Sequence, residues 1–443
     1  MKSRAGILAQ VSRPRKLIFL LSMLILILSA CGGGGGTSPT GGGGLNTGGG
    51  TSGSNEIKLG ALYIGSGPLA SLGQDALRGV QMAIDEFHGT VAGKKIVLSK
   101  ETSDATPNVA RDAARKLIEQ DGVDLMVGPL SGDEGLAVRD YAKTQPNKVF
   151  LNGSSGAEDT TLRNGAPNFY RFNTDAVQWM YPLGPYVYNT QGYKRIAILA
   201  EDYSFPYAQV GGFMTGFCGA GGHVVKKFWV PLGTTDYSSV VSQVPPNIDA
   251  IFVVLGGSDA LNFLRQYIQF GGKAKLIGGA ITVDQSVLST KGALAQYVLG
   301  VASASNVADD NPDPAWQSFV STYKARFPDG LGSPSNTALG YYVNTKAALL
   351  ALQQTNGDLS NGEQKLKDTL ASLEFDTPTG HMKLDSHHQA IGNSYITEVA
   401  KKPDGTLYNK LIQTAPNVTE TLGMAEDQYL KLGPYTRDVP SCP

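Results

Sequence analysis

From Ile57 onward the chain alternates short runs of aliphatic and β-branched residues with longer segments of helical periodicity. The first run, IKLGALYI (57–64), is followed by GQDALRGVQMAIDEF (73–87), where Leu77, Val80, Ile84 and Phe87 form one helical stripe. KKIVLSKE (94–101) precedes TPNVARDAARKLIEQ (106–120), whose Thr106 suits an N-cap and whose Pro107 suits the first turn. VDLMVG (123–128), a helix near 133–143 and KVFLN (148–152) complete a first series. A second runs through RIAILA (195–200), HVVKKFWV (223–230), DAIFVVL (249–255) and AKLIGG (274–279), with helices near 206–219, 236–243 and 258–270. Strands separated by helices pair in parallel, and the crossover helices cover both sheet faces. Two such series predict an α/β protein of two similar, doubly wound lobes. Helices at 314–326, 335–355 and 361–372 and strands near 381–384 and 393–399 follow, and the tail from Asn417 has little periodicity.

The N-terminus reads as an address. Residues 1–16 carry five basic residues and no acid, and Leu17–Ala30 is an apolar run of 14 residues. A membrane-spanning helix needs about 20, so the run fits the core of a signal peptide (1–30). Gly32–Asn55 has no apolar pattern and reads as a flexible linker. Three cysteines occur, Cys31, Cys218 and Cys442, with no CxxC pair for structural zinc.

The charge balance, 37 basic against 38 acidic residues, gives no basic surplus for nucleic acid. GSGPLA (65–70) imitates a dinucleotide fingerprint, but Pro68 sits inside the turn and the next strand ends at Glu101, past the ribose-binding position. Neither a nucleophile elbow nor a P-loop lysine is present. HMKLDSHH (381–388) offers His381, Asp385 and His387 to a metal, but without H-E-x-x-H spacing it reads better as a solvent-facing turn. We therefore expect no metal, no cofactor and no enzyme.

In open parallel sheets ligands sit beyond the carboxyl ends of the strands. The loops there are GSGPLASLG (65–73), GPLSGDEG (128–135), NGSSGAED (152–159), EDYSFPY (201–207), GGSDA (256–260) and GGAITVD (278–284). Their small residues allow close backbone approach and offer N–H and O–H donors, with Ser66 and Gly256 among them.

These segments, in this order, resemble the type I periplasmic binding proteins of the leucine/isoleucine/valine-binding group, over about residues 56–415. Leu28-Ser29-Ala30-Cys31 likewise resembles a bacterial lipobox, which implies cleavage before Cys31 and a lipid anchor with its linker over 31–55. The family resemblance implies lobe I at 56–174 plus 303–377, lobe II at 175–302 plus 378–415, three hinge crossovers and a tail at 416–443. It implies an exported monomer that captures a small amino acid, amide or carboxylate and presents its closed form to an ABC permease. The alternative is a sensory receptor with the same cleft.

Carried over residue by residue, the resemblance places carboxylate donors at Ser131-Gly132 and Ser154-Ser155-Gly156. A usual serine is replaced by Gly132, and a usual aromatic wall residue by Leu72. The lobe II aromatic falls at Tyr203 or Phe205. The carboxylate that would hold a ligand ammonium falls at Ala280, so either Asp133, Glu134 or Asp284 takes its place or the ligand lacks an ammonium. Cys218 and Cys442 are either paired after oxidising export or free.

Overall fold

The computed structural model describes residues 55–289 and 295–442. The signal peptide, Cys31 and nearly all of the linker expected above lie outside the described residues. No helix among the described residues is long and apolar enough to cross a membrane.

The first sheet contains β1 (Glu56–Ile64), β2 (Thr90–Val91), β3 (Lys94–Ser103), β4 (Leu125–Val127), β5 (Val149–Leu151) and β6 (Phe169–Tyr170), in the order β2-β3-β1-β4-β5-β6. All pairs are parallel except the β2–β3 hairpin. The second contains β7 (Arg195–Glu201), β8 (His223–Val230), β9 (Ala250–Val254), β10 (Lys275–Gly278), β11 (Ala302–Ser305), β12 (Phe375–Thr377), β13 (Gly380–Leu384), β14 (Ala390–Lys401) and β15 (Leu407–Val418). Its parallel part runs β8-β7-β9-β10-β11, and β12 to β15 extend it in antiparallel fashion. Each lobe thus repeats one doubly wound order, with its switch point beside the first strand (β1/β4 and β7/β9). Ligand sites form there because neighbouring crossovers leave on opposite faces.

The sheets form because their strands are apolar on both faces. Residues 250–254 of β9 and 125–127 of β4 are all buried. Helices close the faces at short range. A Cβ at Gly79 would stand 2.1 Å from Ala338 O, so glycine lets helix Ala70–Glu86 lie against helix Asn336–Gln354.

The chain crosses between lobes three times: at 171–175, after Ser305, and between the helix ending at Ala371 and β14. The first crossing is built around Arg171, which is fully buried. Its guanidinium donates to Ala157 O (2.6 Å), Thr161 Oγ1 (2.8 Å) and Asp175 Oδ2 (3.3 Å). Asp175 in turn caps helix Ala176–Met180 through the Gln178 N–H.

Strands reach across the expected bounds at three places. Although residues 303–377 are expected in the first lobe, β11 pairs with β14 through Ser305 and β12 pairs with β13 in the second sheet. β15 runs to Val418 along β14, beyond the expected end of that lobe at 415. Its polar sequence, LYNKLIQTAPNV, hides an edge strand. The tail is then tied down. Cys442 is disulfide-bonded to Cys218, and Tyr435 lies against Gly211, where a Cβ would be 2.1 Å from its ring.

Candidate functional site

Four long helices begin around one small cavity. Leu69 and Leu72 open helix Ala70–Glu86, Ser131 caps helix Gly132–Lys143, Tyr203 and Phe205 open helix Ser204–Gly219, and Asn336 and Thr337 open helix Asn336–Gln354. Leu130, Ser154, Trp179 and Ile281 complete the lining. Helix N-termini present unpaired N–H groups and a partial positive charge, so their convergence favours an anion. The rest of the wall is apolar. Tyr203 and Phe205 stack with ring centroids 6.3 Å apart, and Trp179 meets Phe205 edge-on at 6.1 Å. Trp179 is oriented by its Nε1–H donating to Thr174 Oγ1 at 2.7 Å. Ser154 Oγ and Asn336 Oδ1 are buried without a hydrogen-bond partner.

The lobes touch here. Ser204 N donates to Asp133 Oδ1 at 3.0 Å, and Ser258 N to Pro68 O at 3.4 Å. The enclosed space is ≈ 20 Å³, room for about one water. This is a closed conformer, and a ring-sized ligand enters only when the lobes part.

A family model described as periplasmic binding protein matches residues 56–405. This chain belongs to that family. Within it, the repeated strand order and the relatives place it among the type I members of the leucine/isoleucine/valine-binding group. It is similar to Leu/Ile/Val-binding protein homolog 6 of Brucella melitensis, 26% identical over 368 residues covering 81% of this chain and 91% of the relative. It is also similar to an ABC transporter substrate-binding protein from Sphaerobacter thermophilus, at 29% identity and a TM-score of 0.73, covering 82% of this chain and 98% of the other. A solute-binding protein of an ABC transporter from Rhodopseudomonas palustris BisB5, solved with 3,4-dihydroxy benzoic acid, is 25% identical with a TM-score of 0.75, covering 83% and 99%.

Against this periplasmic binding protein cleft, the structure brings together Leu72, Ser131, Ser154, Tyr203 and Phe205 of the expected residues. Gly132 and Gly156 press on Phe205 from the first lobe, and a Cβ at either would come within 3.0 Å of it. Gly132 therefore stands in place of serine because the closed interface has no room for a side chain. The other expected residues do not line the cavity. Ser66 is exposed, because its loop points outward before the helix begins. Ser155 is buried beneath Gly135, whose Cβ would meet its Oγ at 2.0 Å. Gly256 sits behind Ile281, with its N–H given to Glu201 Oε1 at 3.0 Å. Ala280 N–H donates to Gln209 Oε1 at 2.9 Å, and Ala280 lines a separate polar niche with Asp284.

None of the three acids expected to replace Ala280 lines the cavity. Asp133 holds Ser204 N, and Glu134 takes the N–H groups of Ser131 (3.0 Å) and Ala105 (3.1 Å). Asp284 Oδ1 caps Ser286 in a separate niche, where its Oδ2 is buried without a hydrogen-bond partner. Burial raises the Glu134 carboxyl above its usual range, opposed by the hydrogen bonds it accepts. A fourth acid, Glu201, is fully buried at the end of β7, two residues before Tyr203. Burial pushes it up to about 8, against the favourable Gly256 N–H. Burial and the neighbouring Glu201 also keep the Tyr203 phenol protonated.

Leu69, Leu130, Trp179, Ile281, Asn336 and Thr337 escaped the sequence reading. Asp175-x-x-Gln178 is a capping-box spacing that marks the helix bearing Trp179, and Ser335 is an N-cap before Asn336. Either signal finds a helix start, but neither says that it faces the cleft. A larger groove of ≈ 620 Å³ lies elsewhere, among helices Ala70–Glu86, Pro314–Arg326 and Asn336–Gln354 and residues 376–378. Its charges are already paired, Arg326 with Asp85 and Lys346 with Glu86.

Proposed function

We propose that this periplasmic binding protein serves an ABC importer and captures a small carboxylate with a flat, apolar body, such as an aromatic acid. The observation that carries the reading is the convergence of four helix N-termini on a cavity whose lining contains no charged side chain. The carboxylate would take the N–H groups near Ser131 and Gly132 and the Ser154 hydroxyl. The ring would displace Tyr203 and Phe205 from their mutual stack, because the space among them holds only about one water here, and be trapped by closure about the hinges. An ammonium would be buried there without a carboxylate partner, which is costly. The relative solved with 3,4-dihydroxy benzoic acid supports an aromatic acid.

The reading includes export and a lipid anchor on Cys31, with the lobes as bounded above and the permease of a cytoplasmic membrane as partner. An amino acid is the second reading, because Glu201 Oε2 is buried without a hydrogen-bond partner close behind Tyr203.

A thermal-shift and calorimetric panel of benzoate, 3,4-dihydroxybenzoate, benzamide and leucine separates the two readings. Ligand at 100 times its Kd adds about 2.7 kcal/mol to stability. Benzoates are expected to raise the midpoint, and leucine and benzamide to leave it unchanged. Stabilisation by leucine alone overturns the carboxylate reading in favour of an ammonium-binding site.

A further inference from the structure

No residue of the motif HMKLDSHH lines the ligand cavity. Its Asp385 and His387 sit in the turn between β13 and β14, and the fold brings Glu420 from the segment after β15 beside them. One donor atom from each of the three lies within 4.8 Å of the others. His381, the sequence candidate, is elsewhere: it pairs with Asp376 and Glu374 on the exposed β12–β13 hairpin.

We propose that Asp385, His387 and Glu420 form a binding site for a divalent transition metal of the Zn²⁺ class, which staples the C-terminal segment to the hinge.

The second observation is an unsatisfied oxygen. Glu420 is 1% exposed. Its Oε1 accepts from Thr161 Oγ1 and Leu162 N, whereas Oε2 has no hydrogen-bond partner. Such a group is costly to leave unpaired. Asp385 is pre-oriented, its Oδ1 held by the N–H groups of His387 (2.9 Å) and Gln389 (3.0 Å). His387 is half-buried, and its Nε2 lies 3.6 Å from Glu426 Oε1 on the last helix, so Glu426 is within reach as a further ligand.

One guanidinium, Arg171, is shared between two buried carboxylates, 3.3 Å from Asp175 and 3.6 Å from Glu420. An imidazole beside two carboxylates suits Zn²⁺, Co²⁺ or Mn²⁺ better than Ca²⁺. Ligand bonds of about 2.0–2.2 Å require the three donors to draw closer than they stand when an ion binds. The site joins the first crossing through Arg171, the β13–β14 turn of the third crossing, and the tail. A bound ion would therefore fix the tail at the hinge while leaving the cleft free.

The test uses the full-length protein, with Zn²⁺ competed against a chromophoric chelator and Co²⁺ followed by its visible absorption. One equivalent of Zn²⁺ is expected, with a rise in thermal midpoint and no displacement by equimolar Ca²⁺. His387→Ala is expected to weaken Zn²⁺ at least tenfold and abolish the midpoint shift. His381→Ala should change neither. Glu420→Gln should behave as His387→Ala, and if it fails to fold the His387 and His381 variants still decide. Equal binding by wild type and His387→Ala, loss on His381→Ala, or displacement by Ca²⁺ overturns the proposal. Because no residue of the ligand cavity is involved, failure here leaves the carboxylate reading intact.

Discussion

Replacing Gly132 with alanine tests whether closure, and not the lobes themselves, determines that residue. In the closed form the new Cβ would stand 2.6 Å from Phe205 N and 2.5 Å from Ser204 Oγ. The serine can rotate away, but Phe205 N is helix backbone and cannot. Relief requires the lobes to part by several tenths of an ångström, which also stretches the 3.0 Å bond from Ser204 N to Asp133. Overpacking of this kind costs about 1–3 kcal/mol, so ligand Kd should rise about 5- to 150-fold. The substitution should not harm the first lobe alone, because alanine is the better helix former at the start of helix Gly132–Lys143. The N–H at 132 is retained, so a lost donor does not explain the effect. The assay is calorimetry with the best ligand of the panel, paired with small-angle scattering of the liganded protein and the ligand-free thermal midpoint. Weaker binding, a more open liganded form and an undiminished midpoint are expected. Wild-type affinity with full closure would show that the Gly132–Phe205 contact does not belong to the ligand-bound state.

Two further outcomes follow from buried chemistry. Glu201 carries a folded-state pKa raised from 4.5 to about 8 by burial. The folded state then holds its proton more tightly than the unfolded chain, so this group's contribution to stability falls as pH rises from about 4.5 to about 8, by about 1.4 kcal/mol per unit at most. Glu201→Gln should flatten that part of the urea-unfolding profile between pH 5 and pH 9, and an unchanged slope would contradict the assignment. Cys442→Ser opens a disulfide across a separation of 224 residues and should cost about 2–4 kcal/mol. Reductant should lower wild type to the same midpoint and leave the variant unmoved; a wild-type midpoint indifferent to reductant refutes the bond.

The alternation of apolar runs and helical stripes located the central strands within a residue or two, for example 195–200 against Arg195–Glu201 and 223–230 against His223–Val230. What it missed has a common cause. β11 reads ASAS and β6 is two residues long, so neither carries enough apolar weight to stand out. β15 lies at an edge, where one face needs no apolar residues. The candidate site was half legible. Ser131, Ser154, Tyr203 and Phe205 follow strands, and the doubly wound topology points such loops at the cleft. Trp179 lies on the helix entered from the first crossing and Asn336 on a helix reached only after the intervening helix Pro314–Arg326, and no local spacing says which way those helices face.

The sequence by itself determined the βα units, because hydrophobic periodicity and capping are properties of neighbouring residues. It also carried the ingredients of the disulfide and of the proposed metal site: a cysteine on a helix of the second lobe, another in the tail, and an Asp-x-His turn. Only the tertiary structure decided how these meet. It joined Cys218 to Cys442, set Glu420 beside His387 in place of His381, turned Ser155 inward, and pressed Phe205 against Gly132. Those outcomes depend on three chain crossings and on the closing of one lobe against the other. Contacts between residues separated by tens to hundreds of positions arise from packing, which local patterning does not encode.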